Sequence, residues 1–447
     1  MLESRLMTTY IMDMLISFTV SNWRSFKDET TLSCVAQDER RFLLRVPKIR
    51  RAPVMRVVPV VAIYGGNASG KSNFVKALAF LQNLIMAPAS NEKTALPVEP
   101  FLLNGKVRDD VTVTLQFLAK DDNIYQYSVC VDAVAIRSES LSVMRKGRME
   151  PLYLRDGKHI HLKVKSLSQD KTANAFLQVL PENQLMLAMA GQKTPALQNA
   201  YDWFANQLNI IGINSHLRSL QEFARHTPNV AEEMGTLLNQ LGTGIHRLSW
   251  VDAALASLPM TPDGLPLVKP AEGQTIEITL NEQRFTISRK DGAYQAKKLV
   301  AMHRLPGKKD VAFDLLQESA GSRRLIELLP AFIDLARKDR RKVYVIDELG
   351  RSWHHELSRR LLTSYLGMCG EESRGQLLFT THDLMLMDQM LFRQDELCLM
   401  ERAGDKSAIR SVADFAIRTD KDIRKLYMTG ALGGRPLITR FGSLADD

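Results

Sequence analysis

Apolar residues recur along this chain in two rhythms. Leu15-Ile16-Ser17-Phe18-Thr19-Val20 alternates as a half-buried strand does, and Asn22-Trp23-Arg24-Ser25-Phe26 follows it as a turn. Thr30 to Cys34 reads as a second strand of the same sheet. Residues 35–56 are polar and basic, a loop leading to the unbroken apolar run Val60-Val61-Ala62-Ile63-Tyr64, which predicts a buried strand. Phe74 to Leu81 carries helical spacing, and Pro88 to Pro100 reads as a connection. Val111 to Phe117 and Tyr125 to Val131 alternate on either side of Asp121-Asp122-Asn123, which predicts a hairpin, with further strands over 134–143 and 151–155. From about 171 to 245 the pattern turns helical, most clearly over Ala200 to Leu208 and Pro228 to Leu241. Residues 255–310 return to Pro/Gly-rich turns with short strands, Thr275 to Leu280 and Arg284 to Ile287. Leu325 to Ala336 is helical around one proline, and Val343 to Glu348 is a buried strand ending in two carboxylates. Leu357 to Tyr365 is a helix, and Gln376 to Asp383 is another buried strand with a polar tip.

Strand–helix–strand succession of this kind implies parallel pairing, with functional groups gathered at the strands' carboxyl ends. The expected organisation has three parts: a β-rich lobe over 1–150, an inserted helical and β subdomain over 151–310, and a closing lobe over 311–447. No sustained heptads are present, which excludes long coiled-coil arms.

Composition sharpens this only a little. With 447 residues, 45% hydrophobic and 24% charged, the chain can bury a large core and is not a disordered protein. The formal net charge of +9 permits contact with nucleic acid without demonstrating it. The densest basic cluster, Arg337 to Lys342, reads as a solvated helix end before a strand rather than as a nucleic-acid groove. Cys34, Cys130, Cys369 and Cys398 are widely spaced, with no metal or disulfide pattern, and read as reduced thiols. No apolar run reaches the roughly 18 residues a membrane span needs, and Met1 to Asp13 lacks the parts of a signal peptide. A cytoplasmic protein with no membrane partner is expected.

The stretch that organises the chemistry is Gly65-x4-Gly70-Lys71-Ser72, set between a strand and a helix as the P-loop requires. Gly65, Asn67, Gly70 and Asn73 belong to the loop and helix start that would cradle nucleotide phosphates. Lys71 would reach the β- and γ-phosphates of ATP, and Ser72 would hold Mg²⁺. Asp347, ending its strand, would hold the cation through water, and Glu348 would be the general base. His382, ending the next strand, would contact the γ-phosphate. The plainer alternatives are a ligand-free glycine turn, a common Asp-Glu pair and a capping or core histidine. His354-His355-Glu356 lacks zinc-protease spacing, His159 and His161 alternate on a strand, and Tyr125 with Tyr127 suits hairpin packing.

Taken together, the P-loop, Glu318-Ser319-Ala320-Gly321-Ser322-Arg323-Arg324, Val343 to Glu348 and Thr381-His382-Asp383 resemble an ABC-type ATPase head. More narrowly, the chain is similar to bacterial AAA-family ATPases grouped with OLD-like (overcoming lysogenization defect) and abortive-infection proteins. The likeness runs from Met14 to about Ile438, including Leu15 to Phe26 and the closing Tyr427 to Pro436. It implies an α/β P-loop NTPase of ABC-ATPase type, dimerising head to head or assembling further, with Ser319 and Gly321 of one copy closing on the nucleotide of another. Glu318-Ser319-Ala320-Gly321 departs from the transporter-type signature in having one glycine. Arg24, Arg323 and Arg324 are candidate phosphate or inter-subunit contacts, and Gln82 and Gln116 both remain open as the glutamine of a transporter-like loop. The implied function is a slow antiphage switch controlling a separate effector, such as a nuclease and possibly one of TOPRIM type. The alternative is an SMC-like genome-maintenance ATPase without arms. A transporter subunit fits less well, given the atypical signature and the large insertion.

Overall fold

The protein is described here by a computed structural model, in which the described residues are 13–50, 54–88, 91, 93–103, 110–213, 230–304, 307, 309–337, 340–418 and 421–433. Residues 1–12 of the leader reading and Gly434-Arg435-Pro436 of the closing motif lie outside them. The chain divides into two units: Met1–Asn214, Leu335–Leu349 and Leu362–Asp447 form the first, and Ser215–Asp334 with Gly350–Leu361 the second.

The first unit opens with the antiparallel pair β1 (Met14–Ser21) and β2 (Thr30–Ser33). A short ladder, β3 (Lys48–Ile49) with β4 (Met55–Arg56), interrupts the expected loop, and β5 (Val60–Tyr64) and α1 (Lys71–Met86) follow. The expected hairpin is β6 (Val111–Leu118) and β7 (Ile124–Val131), continued by β8 (Ile136–Arg145), β9 (Arg148–Asp156) and β10 (His159–Leu162). These strands make one antiparallel sheet in the order β10-β9-β8-β7-β6-β1-β2. Alternation in β6, with Val111, Val113, Leu115 and Phe117 inward, shows why one face of it needs cover.

That cover comes from residues expected in the insertion. After α2 (Lys165–Ser168) and α3 (Lys171–Val179), α4 (Met186–Ala190) and α5 (Pro195–Asp202) lead through a π-turn, Trp203–Gln207, into β11 (Leu208–Ile211). Trp203 stacks on Phe117 at 4.4 Å between ring centroids, and Phe204 meets the same ring edge-on. Buried Glu139 on β8 accepts bonds from Met186 N and Leu187 N at the start of α4 and from the Tyr127 and Tyr153 hydroxyls. The division expected at 150/151 therefore differs from the observed one. It falls inside β9, and the apolar faces of 151–213 are spent on the first unit's core.

The second unit contains α6 (Val230–Gln240), β12 (Ile245–Ala253), β13 (Thr275–Leu280), β14 (Gln283–Lys290), β15 (Ala293–His303), β16 (Val311–Asp314) and all but the last residue of α7 (Ala320–Leu335). Its antiparallel sheet runs β12-β15-β14-β13, with β16 also on β15. Leu258, Phe285, Ile287 and Ala296 form a small core on one face. It extends through Asp334, beyond the boundary expected at 310.

After β17 (Val343–Ile346) of the first unit, α8 (His355–Gly367) belongs to the second unit through Leu361 and to the first from Leu362, and β18 (Gln376–Thr381), β19 (Leu397–Ala403), β20 (Lys406–Ser411) and α9 (Ile423–Thr429) follow in the first. The second sheet runs β11-β17-β18-β5-β19-β20 and is parallel except for the β19–β20 hairpin. β5, β17 and β18 are buried along their whole length, which is why they read as continuous apolar runs. Gln376 joins the two sheets: its amide accepts from Leu15 N and donates to the Leu15 and Val58 carbonyls. The result is a mixed α/β, P-loop NTPase fold.

Candidate functional site

At the carboxyl end of β5 the chain must turn within a crowded space. A Cβ on Gly65 would stand 2.3 Å from the Met400 carbonyl oxygen, so β19 leaves room only for backbone. Gly70 holds φ +110, which disfavours other residues, and a Cβ there would stand 2.4 Å from Ser407 Oγ. α1 then begins at Lys71 with no acidic residue in its first turn, leaving its positive end uncompensated from within. The segment after β1 packs over this turn. Trp23 Nε1 donates to the Asn73 carbonyl, Asn73 Nδ2 donates to Ser25 Oγ, and Arg24 reaches Asn73 Oδ1 at 3.4 Å while pairing with Glu99 at 2.5 Å.

A cavity of about 870 Å³ opens beside the loop, lined by residues 67–73, Arg24, Glu348, His382 and the strap Val98 to Leu103. Two observations suit it to an anion. The Ser69 hydroxyl is buried with no hydrogen-bond partner among the described residues. The Lys71 ammonium, also buried, donates to the Gly65 and Gly66 carbonyls, at 2.8 and 3.0 Å. Burial pushes the Lys71 pKa down from 10.5 to about 8, against the pull of the Asp347 and Glu348 carboxylates. Phosphate oxygens would restore that charge.

Asp347 and Glu348 leave β17 in a turn held by β18. Asp347 N extends the parallel ladder by donating to the Ile211 carbonyl. Thr380 Oγ1 donates to Asp347 Oδ1 at 2.6 Å and accepts from Glu348 N at 2.8 Å. Glu348 holds φ +55, a left-handed conformation uncommon for such a residue. Its carboxylate stands 3.9 Å from His382 Nε2. Burial first, and then Lys71, hold the His382 pKa below its ordinary value, so the imidazole is neutral near pH 7 and that contact is not an ion pair. Ser72 and Asp347 offer hard oxygen donors of the kind Mg²⁺ takes.

Lys71, Asn67, Gly70, Ser72, Asn73, Arg24, Glu348 and His382 thus border one cavity, with Gly65 and Asp347 just behind it. Ser319 and Gly321 lie in the second unit. Ser319 caps α7, its hydroxyl accepting from Ser322 N, and a Cβ on Gly321 would stand 2.5 Å from the Ser352 carbonyl. Arg323 pairs with Glu282 and Arg324 with Glu327. Neither glutamine candidate reaches the cavity lining: Gln82 donates to the Phe204 and Leu208 carbonyls, and Gln116 to Gln126. Arg340, from the basic cluster, is buried and donates to the Met368 carbonyl and Ser373 Oγ, a structural use rather than a solvated one.

Sequence reasoning missed Thr380 and the strap at Val98 to Leu103. A signal for the first existed, because two successive threonines end an otherwise apolar strand. The strap is irregular backbone with no pattern to find.

A family profile described as "AAA domain, putative AbiEii toxin, Type IV TA system" matches residues 60–171 and 197–388. Among solved structures, an Smc head domain with a coiled coil and joint derived from Pyrococcus yayanosii shows 11% identity and a TM-score of 0.43, covering 94% of this chain and 100% of that one. An SmcHead bound to the C-winged helix domain of ScpA shows 13% identity and a TM-score of 0.40, covering 90% and 99%. The recombination mediator protein RecF with ATP shows 12% identity and a TM-score of 0.36, covering 83% and 94%. No curated protein matches the chain.

Proposed function

This chain belongs to the family described as "AAA domain, putative AbiEii toxin, Type IV TA system", whose profile spans more than half of it, and on that premise we propose that it is an ATP-hydrolysing switch of a bacterial antiphage, abortive-infection type of system. The observation that carries the reading is the convergence of Lys71, Glu348 and His382 on one cavity at the carboxyl edge of a parallel sheet.

In this reading the loop's N–H groups and the start of α1 hold the phosphates, and Lys71 exchanges its two carbonyl partners for β- and γ-phosphate oxygens. Ser72 and Asp347 would hold Mg²⁺, which when bound neutralises charge on the phosphates. Glu348 takes the proton of a water whose oxygen bonds to the γ-phosphorus as the bond to the bridging oxygen breaks, giving ADP and phosphate. Neutral His382 donates a hydrogen bond to the γ-phosphate. Arg24, now held by Glu99 and Asn73, borders the same space. Ser319 and Gly321 would act on the nucleotide of a second copy, and the switch would govern a separate effector such as a nuclease. The toxin and toxin–antitoxin wording of the family description supports that setting.

The test is steady-state ATP hydrolysis beside nucleotide binding. Lys71→Ala is expected to lose binding. Glu348→Gln should keep binding while turnover falls roughly 10²- to 10⁴-fold, the share of a positioned base. Normal turnover in Glu348→Gln would overturn the assignment.

A further inference from the structure

Thr380 is fully buried at the end of β18, where valine would suit the strand and bring no hydroxyl to satisfy. The hydroxyl has a definite use. An amide N–H can only donate, so Thr380 Oγ1 must accept from Glu348 N at 2.8 Å. Its single proton is then committed to Asp347 Oδ1, at 2.6 Å. The two bonds join one hydroxyl to both residues of the Asp-Glu pair.

The rest of the strand tip acts in the same direction. Leu349 N donates to the Thr380 carbonyl at 2.9 Å, and Thr381 Oγ1 donates to the Leu349 carbonyl at 3.3 Å. β18 therefore templates the turn 347–349 residue by residue, through a backbone at Glu348 that sits at φ +55. That conformation is disfavoured for a residue with a side chain. The turn re-aims Glu348 relative to Asp347, and the bond from Thr380 fixes both the Asp347 rotamer and the Glu348 amide.

We propose that Thr380 is a positioning residue that orients Asp347 for a divalent cation and Glu348 for the attacking water. The inference rests on the ATPase reading above.

The experiment titrates Mg²⁺ at fixed ATP, following nucleotide binding and turnover in the wild type, Thr380→Val, Thr380→Ser and Thr380→Cys. Valine keeps the shape and removes the hydroxyl. It is expected to raise the Mg²⁺ concentration for half-maximal binding about tenfold and to lower turnover about 10- to 100-fold, as loss of a partner behind a metal ligand does. Serine should restore both to within about threefold, because its hydroxyl can make the same two bonds. Cysteine, a weaker donor, should fall between serine and valine, and it keeps the test available should the valine variant fail to fold. Wild-type Mg²⁺ dependence in the valine or cysteine variant overturns the inference alone, as does a serine variant that behaves like valine. A wild-type protein with no Mg²⁺-dependent binding or turnover of ATP overturns the ATPase reading and this inference with it.

Discussion

Lys71 is a buried ammonium held by two carbonyl oxygens, and burial has lowered its pKa to about 8. The consequence for ligand binding has a definite sign. Below about pH 8 the free protein already carries the proton that an anion needs. Above it, binding must take up a proton, so ATP affinity is expected to fall with rising pH, by up to about tenfold per pH unit. Stability of the free protein moves the other way. The unfolded lysine keeps its proton up to about 10.5, so this residue's cost to folding is full below pH 8 and is relieved as pH climbs from 8 to 10.5. Calorimetry at pH 9 in two buffers of different ionisation enthalpy should show proton uptake on ATP binding that is absent at pH 7. Equal affinity at pH 7 and 9.5 would mean that the Lys71 ammonium does not meet the phosphates. Some of this was legible beforehand, since the P-loop pattern names Lys71. The depressed pKa was not, because it depends on how deeply the folded chain buries the side chain.

The strand–loop–helix of β5 and α1 is the element whose local sequence and tertiary setting agree most closely. Its glycines are needed for different reasons. Gly70 supplies a backbone conformation, whereas Gly65 supplies space beneath the Met400 carbonyl. Gly65→Ala must push a strand backbone rather than a flexible side chain, and overpacking of that kind costs about 1–3 kcal/mol. Urea unfolding should register the loss, together with weaker nucleotide binding. An unchanged midpoint would show that β19 yields there. β11 shows where element-level reading stops. Leu208 to Ile211 is a short apolar run next to a helical pattern, and it reads equally as the helix's continuation. Only pairing with β17, far along the chain, makes it a strand.

For the whole molecule, the expected lobes and the observed units diverge because residues 151–213 complete the first antiparallel sheet, pack their apolar side chains into its core and end in a strand of the second sheet. In the proposed reading Ser319 and Gly321, which lie in the second unit, act on the nucleotide of a second copy, so assembly is the measurement that matters at this scale. Light scattering of Glu348→Gln with ATP is expected to show a dimer or larger species that the wild type shows only transiently. A variant that binds ATP and stays monomeric would remove the shared-site reading of 318–324 while leaving Lys71, Asp347 and Glu348 as a nucleotide site.

What the sequence by itself determined is the local chemistry of this protein. Glycine spacing, the apolar runs before the P-loop and before Asp347-Glu348, and the polar tip at His382 follow from backbone sterics and from burial of a parallel sheet on both faces. Those rules act over a few residues and can be read in one pass. The tertiary structure alone decided that Thr380 bonds both Asp347 and Glu348, that Gln82 is engaged elsewhere, that Arg340 is buried, and that 151–213 belong to the first unit. Each of these depends on contacts between segments distant in the chain, where partner, register and burial are set by packing and leave no periodic trace in the sequence.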